Sequence, residues 1–395
     1  MITDPRILRR ELGVLADDPT LHDLEDRLEA FTGELAAAPI DEADVGAATR
    51  AYVARLAAAG LLRWVVPAAH GGAAEALRST AICVIRQWLA RVSGALDTAF
   101  VMQGLGSNPV TMAGPEALRR RLLPRVAAGE VICAFALTEP EAGSDIQAMT
   151  TTATPRPDGG VTLRGHKCFI SNAGIAGSYV VFAREAEAEA GQGGRARHGA
   201  FWVAGDAPGL SVRPIQVIAP HPIGEVHLDE VVVPAEHRIG APGEGLKIAL
   251  GNLDVFRVSV GAAALGLADR ALTTMIDHLH RRVQFGKPLA AQQGLQFALA
   301  DVATDHVAAQ LLVYRAAVAR DAGRSGATEP AMAKLFATES AQRTIDRAVQ
   351  TLGGRGVTVG EVPERLYREI RALRIYEGTS EIQKVIIARA LLRGG

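Results

Sequence analysis

Cysteine is scarce in this chain: three residues in 395, Cys83, Cys133 and Cys168, widely spaced and with no CxxC pair. That argues against a disulfide framework or a zinc site and points to a reducing compartment. An excess of either charge is also missing. Lys and Arg number 42 against 43 Asp and Glu, so no global field draws the chain to nucleic acid or an anionic membrane. Apolar stretches such as Leu61-Leu62-Arg63-Trp64-Val65-Val66 are short and broken by charge, so no membrane span is expected. Met1-Ile2-Thr3-Asp4-Pro5-Arg6 carries charge where a signal peptide needs an apolar run. No internal repeat is visible. The expectation is a cytoplasmic globular protein with neither a membrane nor a nucleic-acid partner.

What is present suits a large core. Apolar residues make up 48% and charged ones 22%, ordinary values for a globular chain long enough for two or three domains. Residues 1–130 read as helices, with Leu21, Leu24, Leu28 and Phe31 at helical spacing. The leucines of Leu118-Arg119-Arg120-Arg121-Leu122-Leu123-Pro124-Arg125 supply a buried face, so its arginines read as a solvated helix side. Residues 131–240 change period. Val161 and Leu163 alternate, Tyr179-Val180-Val181-Phe182 is rich in strand formers, and Val231-Val232-Val233 stops at Pro234. Pro157-Asp158-Gly159-Gly160 reads as a turn, and Glu185–Gly199 as an exposed loop. Residues 241–395 return to helix, in four segments: about Leu246–Arg282, Ala290–Asp321, Pro330 to Gly353-Gly354, and one from Ser380. The stripe Leu272, Ile276, Leu279, Val283 marks the first of them. The fold class expected is α+β multidomain: N-terminal helices, a middle β-barrel-like or sandwich domain, and a C-terminal four-helix bundle.

The most telling stretch is Ile375-Tyr376-Glu377-Gly378-Thr379-Ser380-Glu381-Ile382-Gln383. Ser380 and Gln383 fit a capping box, which places Glu377 just outside a helix start with Gly378 keeping the backbone open. A carboxylate held there could be a general base, or could merely complement the helix dipole. His278 and His280 sit at i, i+2 on a helix and face apart, so no metal site is expected.

A second stretch, Ala134-Phe135-Ala136-Leu137-Thr138-Glu139-Pro140-Glu141-Ala142-Gly143-Ser144-Asp145, closely resembles the signature that opens the β-domain of the acyl-CoA dehydrogenase family. Three further blocks resemble that family in the right order. They are Lys167-Cys168-Phe169-Ile170-Ser171-Asn172, then Arg282-Val283-Gln284-Phe285-Gly286 with Gln293, then Gln350-Thr351-Leu352-Gly353-Gly354-Arg355-Gly356. The stretch around Glu377 is the fifth. Five spaced motifs in order are specific where one alone is weak.

The resemblance implies FAD as cofactor. It places Phe135, Leu137 and Thr138 by the isoalloxazine, with Ser144 near cofactor and substrate. Phe169 would cover the opposite ring face beside Ser171, where the family most often has tryptophan; the indole N–H is then lost. Thr379 and Glu381 would lie at the cofactor end of the last helix, and Gly353 and Gly354 would admit a dinucleotide. Arg282, Phe285, Gln350 and Gly354 would reach the flavin of a neighbouring subunit, implying a homodimer or homotetramer, and Gln293 would be a further cofactor residue. Arg281, four residues after Asp277, reads instead as half of a surface helix pair.

Glu377 aligns with the family's catalytic base, which takes the α-proton of an acyl thioester while hydride leaves the β-carbon for the flavin. Its backbone N–H would polarise the thioester carbonyl, and burial should raise its pKa. Asp254 and Arg257 align near the pantetheine arm, with a helix ion pair as the equal alternative, and Gly378 borders the substrate. Some relatives place the base where Phe256 stands, and phenylalanine accepts no proton. The substrate implied is an acyl-CoA, with a carrier-protein thioester or a non-dehydrogenase flavoprotein as alternatives, and electron-transfer flavoprotein or another acceptor removes the electrons. A DNA-binding relative is disfavoured by the balanced charge.

Overall fold

A computed structural model describes residues 18–185, 197–219, 221–324 and 326–393. The expected loop Glu185–Gly199 lies largely outside these residues. Among the described residues five α-helices come first: α1 (Pro19–Ala37), α2 (Val45–Ala58), α3 (Ser79–Val92), α4 (Gly94–Ala113) and α5 (Glu116–Ala127). Leu21, Leu24, Leu28 and Phe31 are all buried on α1, whose first turn is capped by Asp18 accepting from Thr20 and Leu21 N–H. On α5, Leu118, Leu122 and Leu123 are buried while Arg120 stays exposed, as the leucine spacing requires.

Eight strands follow: β1 (Cys133–Ala136), β2 (Thr152–Pro155), β3 (Val161–Ser171), β4 (Ser178–Glu185), β5 (His198–Ala204), β6 (Leu210–Pro214), β7 (Ile223–Val233) and β8 (Arg238–Ile239). They form one sheet in the order β6-β7-β3-β2-β4-β5-β8, with β1 pairing parallel to β4. The turn at Pro157-Asp158-Gly159-Gly160 joins β2 to β3 antiparallel, Pro155 facing Val161. Gly159 takes φ +81°, and Asp158 accepts from Gly160 N–H.

The C-terminal part contains α6 (Gly245–Arg281), a short hairpin of β9 (Val283–Gln284) and β10 (Lys287–Pro288), then α7 (Gln293–Asp321), α8 (Thr328–Leu352), α9 (Val362–Leu373) and α10 (Ser380–Arg393). Two expectations need correction. Val283 does not continue the α6 stripe but sits exposed on the hairpin, and α9 is an additional helix. α9 was hidden because its charges pair along its own surface, Glu364 with Arg368 and Arg365 with Glu369. By length and a mean hydropathy of 1.4, α6 could cross a bilayer, but 72% of that window is buried inside the protein. It is a core helix.

Compactness divides the chain differently from its order. A helical unit comprises Met1–Pro39, Arg78–Asp97 and Val255–Gly395, and a β unit comprises Ile40–Leu77 and Thr98–Asp254. Within the helical unit α8 packs on α7, α9 and α10, and its buried face is small: Ala331, Ala333, Ala337, Ala341 and Ala348. Small side chains let neighbouring axes approach. α6 meets α3 at Gly266, where a Cβ would lie 2.2 Å from the Gln87 carbonyl oxygen.

Candidate active site

In the helical unit, the chain leaves α9 and turns through Glu377 and Gly378, both left-handed at φ +53° and +92°. A left-handed glutamate costs about 1–2 kcal/mol, so its surroundings must hold it there. They do so through carbonyls. Lys334 Nζ on α8 donates to the Tyr376 carbonyl at 2.7 Å and to that of Gly378, one on each side of Glu377. Gln383 Nε2 donates to the Gly378 carbonyl at 2.8 Å. Glycine is favoured here by φ, and a Cβ at residue 378, 2.6 Å from that Gln383 nitrogen, would push this donor aside.

The cap of α10 is shifted by one residue from the sequence expectation. Thr379, not Ser380, is the N-cap, its Oγ1 accepting from Ile382 N–H. Ser380 Oγ donates instead to Glu339 Oε1 at 2.6 Å, an oxygen that also accepts from Arg374 Nε at 2.9 Å. Ser380 is already the first residue of α10, and its hydroxyl serves there as a donor to the ionised Glu339 of α8.

The Glu377 carboxylate has its Oε2 buried with no hydrogen-bond partner among the described residues. Burial raises its pKa, opposed by the positive charges of Arg86, Lys334 and Arg257. The Glu377 N–H likewise donates to no group of the chain among the described residues. Arg86 is itself anchored, with Nε and Nη2 on the two Asp97 oxygens at 2.8 and 2.6 Å. Its Nη1 donates to Ser259 Oγ at 3.0 Å, and that hydroxyl donates to the Phe256 carbonyl at 2.6 Å. Phe256 is fully buried and Arg257 nearly so. Arg86 and Lys334 are site residues that sequence reasoning missed.

The β unit contains a second constellation. Lys167, on β3 and fully buried, donates to Glu139 Oε1 at 2.8 Å and to the Leu137 carbonyl at 3.1 Å. Cys168 N–H donates to the Thr138 carbonyl at 3.0 Å, so the two motifs of this unit are locked together. The pairing of β3 with β7 slips between Lys167 and Ile170, and at this bulge Phe169 takes φ +55° with its side chain 61% exposed. Ser171 Oγ lies 3.2 Å from His221 Nε2, whose Nδ1 is 3.0 Å from the Ala219 carbonyl. Phe135 and Leu137 are buried, Phe135 packing on Phe182 with centroids 5.0 Å apart, while Ser144 is exposed and Asp254 belongs to this unit. His166, Glu225 and His227 also cluster on this sheet, but Arg213 already spans both Glu225 oxygens, at 2.7 and 2.9 Å.

A third group is exposed on the helical unit. Phe285 and Gly286 are the two loop residues of the β9–β10 hairpin, both with positive φ, at +51° and +72°. That turn suits Asn-Gly, so a phenylalanine 94% exposed there is anomalous for stability. Arg282, Gln293, Gln350, Gly353 and Gly354 are exposed as well, and an added Cβ at either glycine would meet nothing within 4 Å. Arg281 pairs with Asp277 at 3.6 Å. Of the five non-glycine residues with positive φ among the described residues, Phe169, Phe285 and Glu377 are three, and strained backbone concentrates at working sites.

Comparison with known proteins meets this geometry. Family models described as the N-terminal, middle and C-terminal domains of acyl-CoA dehydrogenase match residues 18–130, 134–231 and 243–392. An acyl-CoA dehydrogenase of Bacillus subtilis (strain 168) is 38% identical over 342 residues, covering 85% of this chain and 88% of that protein. The chain belongs to the acyl-CoA dehydrogenase family. It is an oxidoreductase with the activity of that family. Among solved structures, butyryl-CoA dehydrogenase from Megasphaera elsdenii superposes with a TM-score of 0.86 at 31% identity, covering 94% of this chain and 97% of that one. An acyl-CoA dehydrogenase complexed with FAD from Bacillus anthracis gives 0.83 at 28% identity, covering 94% of this chain and 67% of that one. The acyl-CoA dehydrogenase architecture of N-terminal helices, middle β domain and C-terminal helices is therefore that of this chain.

Proposed function

We propose that this acyl-CoA dehydrogenase removes the α-proton of an acyl-CoA with Glu377 and forms the trans-2-enoyl thioester. The observation that carries the reading is the Glu377 carboxylate oxygen, buried and without a partner in a backbone conformation that costs energy to hold. A desolvated carboxylate of raised pKa is a stronger base than a solvated one. The open Glu377 N–H is the donor for the thioester oxygen, which ties the position of the base to polarisation of the carbonyl. Phe256 bounds the acyl chain, while Gly378, Ser144, Asp254 and Arg257 serve the rest of the thioester. The three sequence domains are 1–130, 131–240 and 241–395.

The cofactor is FAD, and the residues present fit it. An exposed aromatic ring on a strained bulge, at Phe169, suits one face of a planar ring system. Phe135, Leu137, Thr138 and Ser171 complete the isoalloxazine contacts, and Thr379 and Glu381 lie at a helix N-terminus. Arg282 and Gln350 project side chains that make no hydrogen bond or ion pair within the chain among the described residues. With Phe285 and Gly354 they would serve the cofactor of a neighbouring subunit, with Gln293 and Gly353 as further cofactor residues, and we infer a homodimer or homotetramer. When bound, FAD accepts the hydride from the β-carbon, and an electron-transfer flavoprotein or equivalent acceptor takes the electrons onward.

Anaerobic mixing of the enzyme with a panel of acyl-CoAs, and with matched carrier-protein thioesters, tests the reading through bleaching of the flavin. Glu377→Gln should retain flavin and bind substrate while bleaching at least about a hundredfold more slowly, the low end of general-base contributions. Bleaching within about tenfold of wild type, only ~1.4 kcal/mol, would place the base elsewhere.

A further inference from the structure

We propose that Lys334 is the positioning residue of the reaction, its ammonium clamping the carbonyls on both sides of Glu377 and thereby fixing the base. The proposal rests on Glu377 being the base and goes beyond it, because Lys334 bonds the backbone on either side of that residue and makes no hydrogen bond or ion pair to its carboxylate among the described residues. Its hydrogen bonds run to Tyr376 and Gly378, and Glu377 is the only residue between them. With the two flanking carbonyls pinned to a rigid helix, the intervening peptide stays in the left-handed region that a glutamate would otherwise leave. Lys334 itself is buried on α8 beside Ala331, Ala333 and Ala337, so the clamp is anchored in a packed helix.

A lysine is an odd choice for that alanine face unless its charge is used. Lys334 is 1% exposed. A neutral amide could hold two carbonyls, as Gln383 does from α10 for Glu377 and Gly378 at 3.4 and 2.8 Å. An ammonium adds a field. Burial pulls its pKa down to about 8, with Glu377, Glu339 and Glu381 working in the opposite direction and Arg257 reinforcing the fall. It therefore stays mostly protonated near neutrality, beside a carboxylate that also faces Arg86 and Arg257. Lys334 thus has two separable effects, a clamp on geometry and a charge that favours ionised Glu377.

Two substitutions separate them. Lys334→Met removes clamp and charge; Lys334→Gln removes the charge while retaining hydrogen-bond donors, on a side chain one atom shorter. The readout is the anaerobic rate of flavin bleaching by a saturating acyl-CoA as a function of pH. In the wild type the rate rises with pH as Glu377 ionises. Loss of the neighbouring cation disfavours the ionised form, so the rising limb should move to higher pH in both variants. The plateau should fall about a hundredfold in Lys334→Met, the order expected for a base misplaced by about 1 Å, and be largely restored in Lys334→Gln. Substrate affinity should change little in either.

A limb at wild-type pH in Lys334→Gln overturns the proposal, even if Lys334→Met fails to fold. Equal plateaus in wild type and Lys334→Met overturn it too. Glu377→Gln distinguishes the two readings. If Glu377→Gln bleaches normally the base assignment fails; if it is inert while the Lys334 variants match wild type, only the positioning role fails. Adding Lys334→Met to Glu377→Gln should slow bleaching no further, since Lys334 acts through Glu377.

Discussion

Two buried lysines keep company with glutamates in this chain, Lys167 in the β unit and Lys334 in the helical unit, and the glutamates respond in opposite ways. Lys167 donates directly to Glu139, whose oxygens also accept from Thr150 N–H, Thr150 Oγ1 and Thr151 N–H at 2.6 to 3.0 Å. Burial pushes the Glu139 carboxyl up, but the charge and hydrogen bond of Lys167, with the threonine donors, hold it at about 2. Lys334 spends its protons on carbonyls and leaves the Glu377 oxygen without a partner, so there burial prevails and the pKa rises. The same two residue types make a structural rivet in one unit and, in the other, the unpartnered carboxylate that we propose as the base. What decides is where the lysine's hydrogen bonds go.

The largest effect on stability should come from the rivet. Lys167→Met leaves Glu139 buried beside no cation, and breaking such a pair costs on the order of 3–5 kcal/mol in urea unfolding. The pH dependence gives the sign. Glu139 has a depressed folded pKa, so its stabilisation is complete above the ordinary value of 4.5 and lost as pH falls through about 2. Lys167→Met should lose that dependence, and an unchanged acid limb would break the comparison.

Arginines repeat the contrast on the surface. Arg282 makes no ion pair within the chain among the described residues, whereas Arg281 pairs with Asp277. Arg282→Ala should weaken flavin retention by roughly 1.5–3 kcal/mol, about tenfold or more, in dialysis against dilute cofactor. Phe285→Asn sharpens the point, since Asn tolerates the left-handed turn. Thermal unfolding should show a gain of about 0.5–1 kcal/mol in stability, together with poorer flavin retention. Arg281→Ala should change either quantity by only about 0.3–0.5 kcal/mol. Equal losses for Arg281 and Arg282 would show that an internal partner does not mark a residue as structural.

Much of this was legible in the sequence because it is local. The change from period 3.6 to period 2 near residue 131, the Asp-Gly turn before β3 and the Tyr-Glu-Gly-Thr stretch each depend on neighbours in the chain. Locally Glu377 could be placed just outside a helix start, while its proposed role as base came from the family resemblance. Arg86 and Lys334 could not be named, since an arginine in an apolar helix and a lysine in an alanine-rich one carry no local mark of burial. Their partners lie far along the chain: Arg86 reaches Ser259, and Lys334 reaches Tyr376. The cap of α10 was misplaced by one residue, and the Ser380 hydroxyl turns to Glu339 on another helix. The compact units escaped reading altogether, being assembled from segments separated in sequence.

Infrared difference spectroscopy can follow both carboxyl groups in one protein, with Glu377→Gln and Glu139→Gln assigning the bands. The protonated C=O stretch of Glu377 should persist above the ordinary glutamate value of 4.5, while Glu139 stays ionised until the pH approaches about 2. Glu377 ionising at or below the ordinary value, or Glu139 protonating first on acidification, would contradict the account.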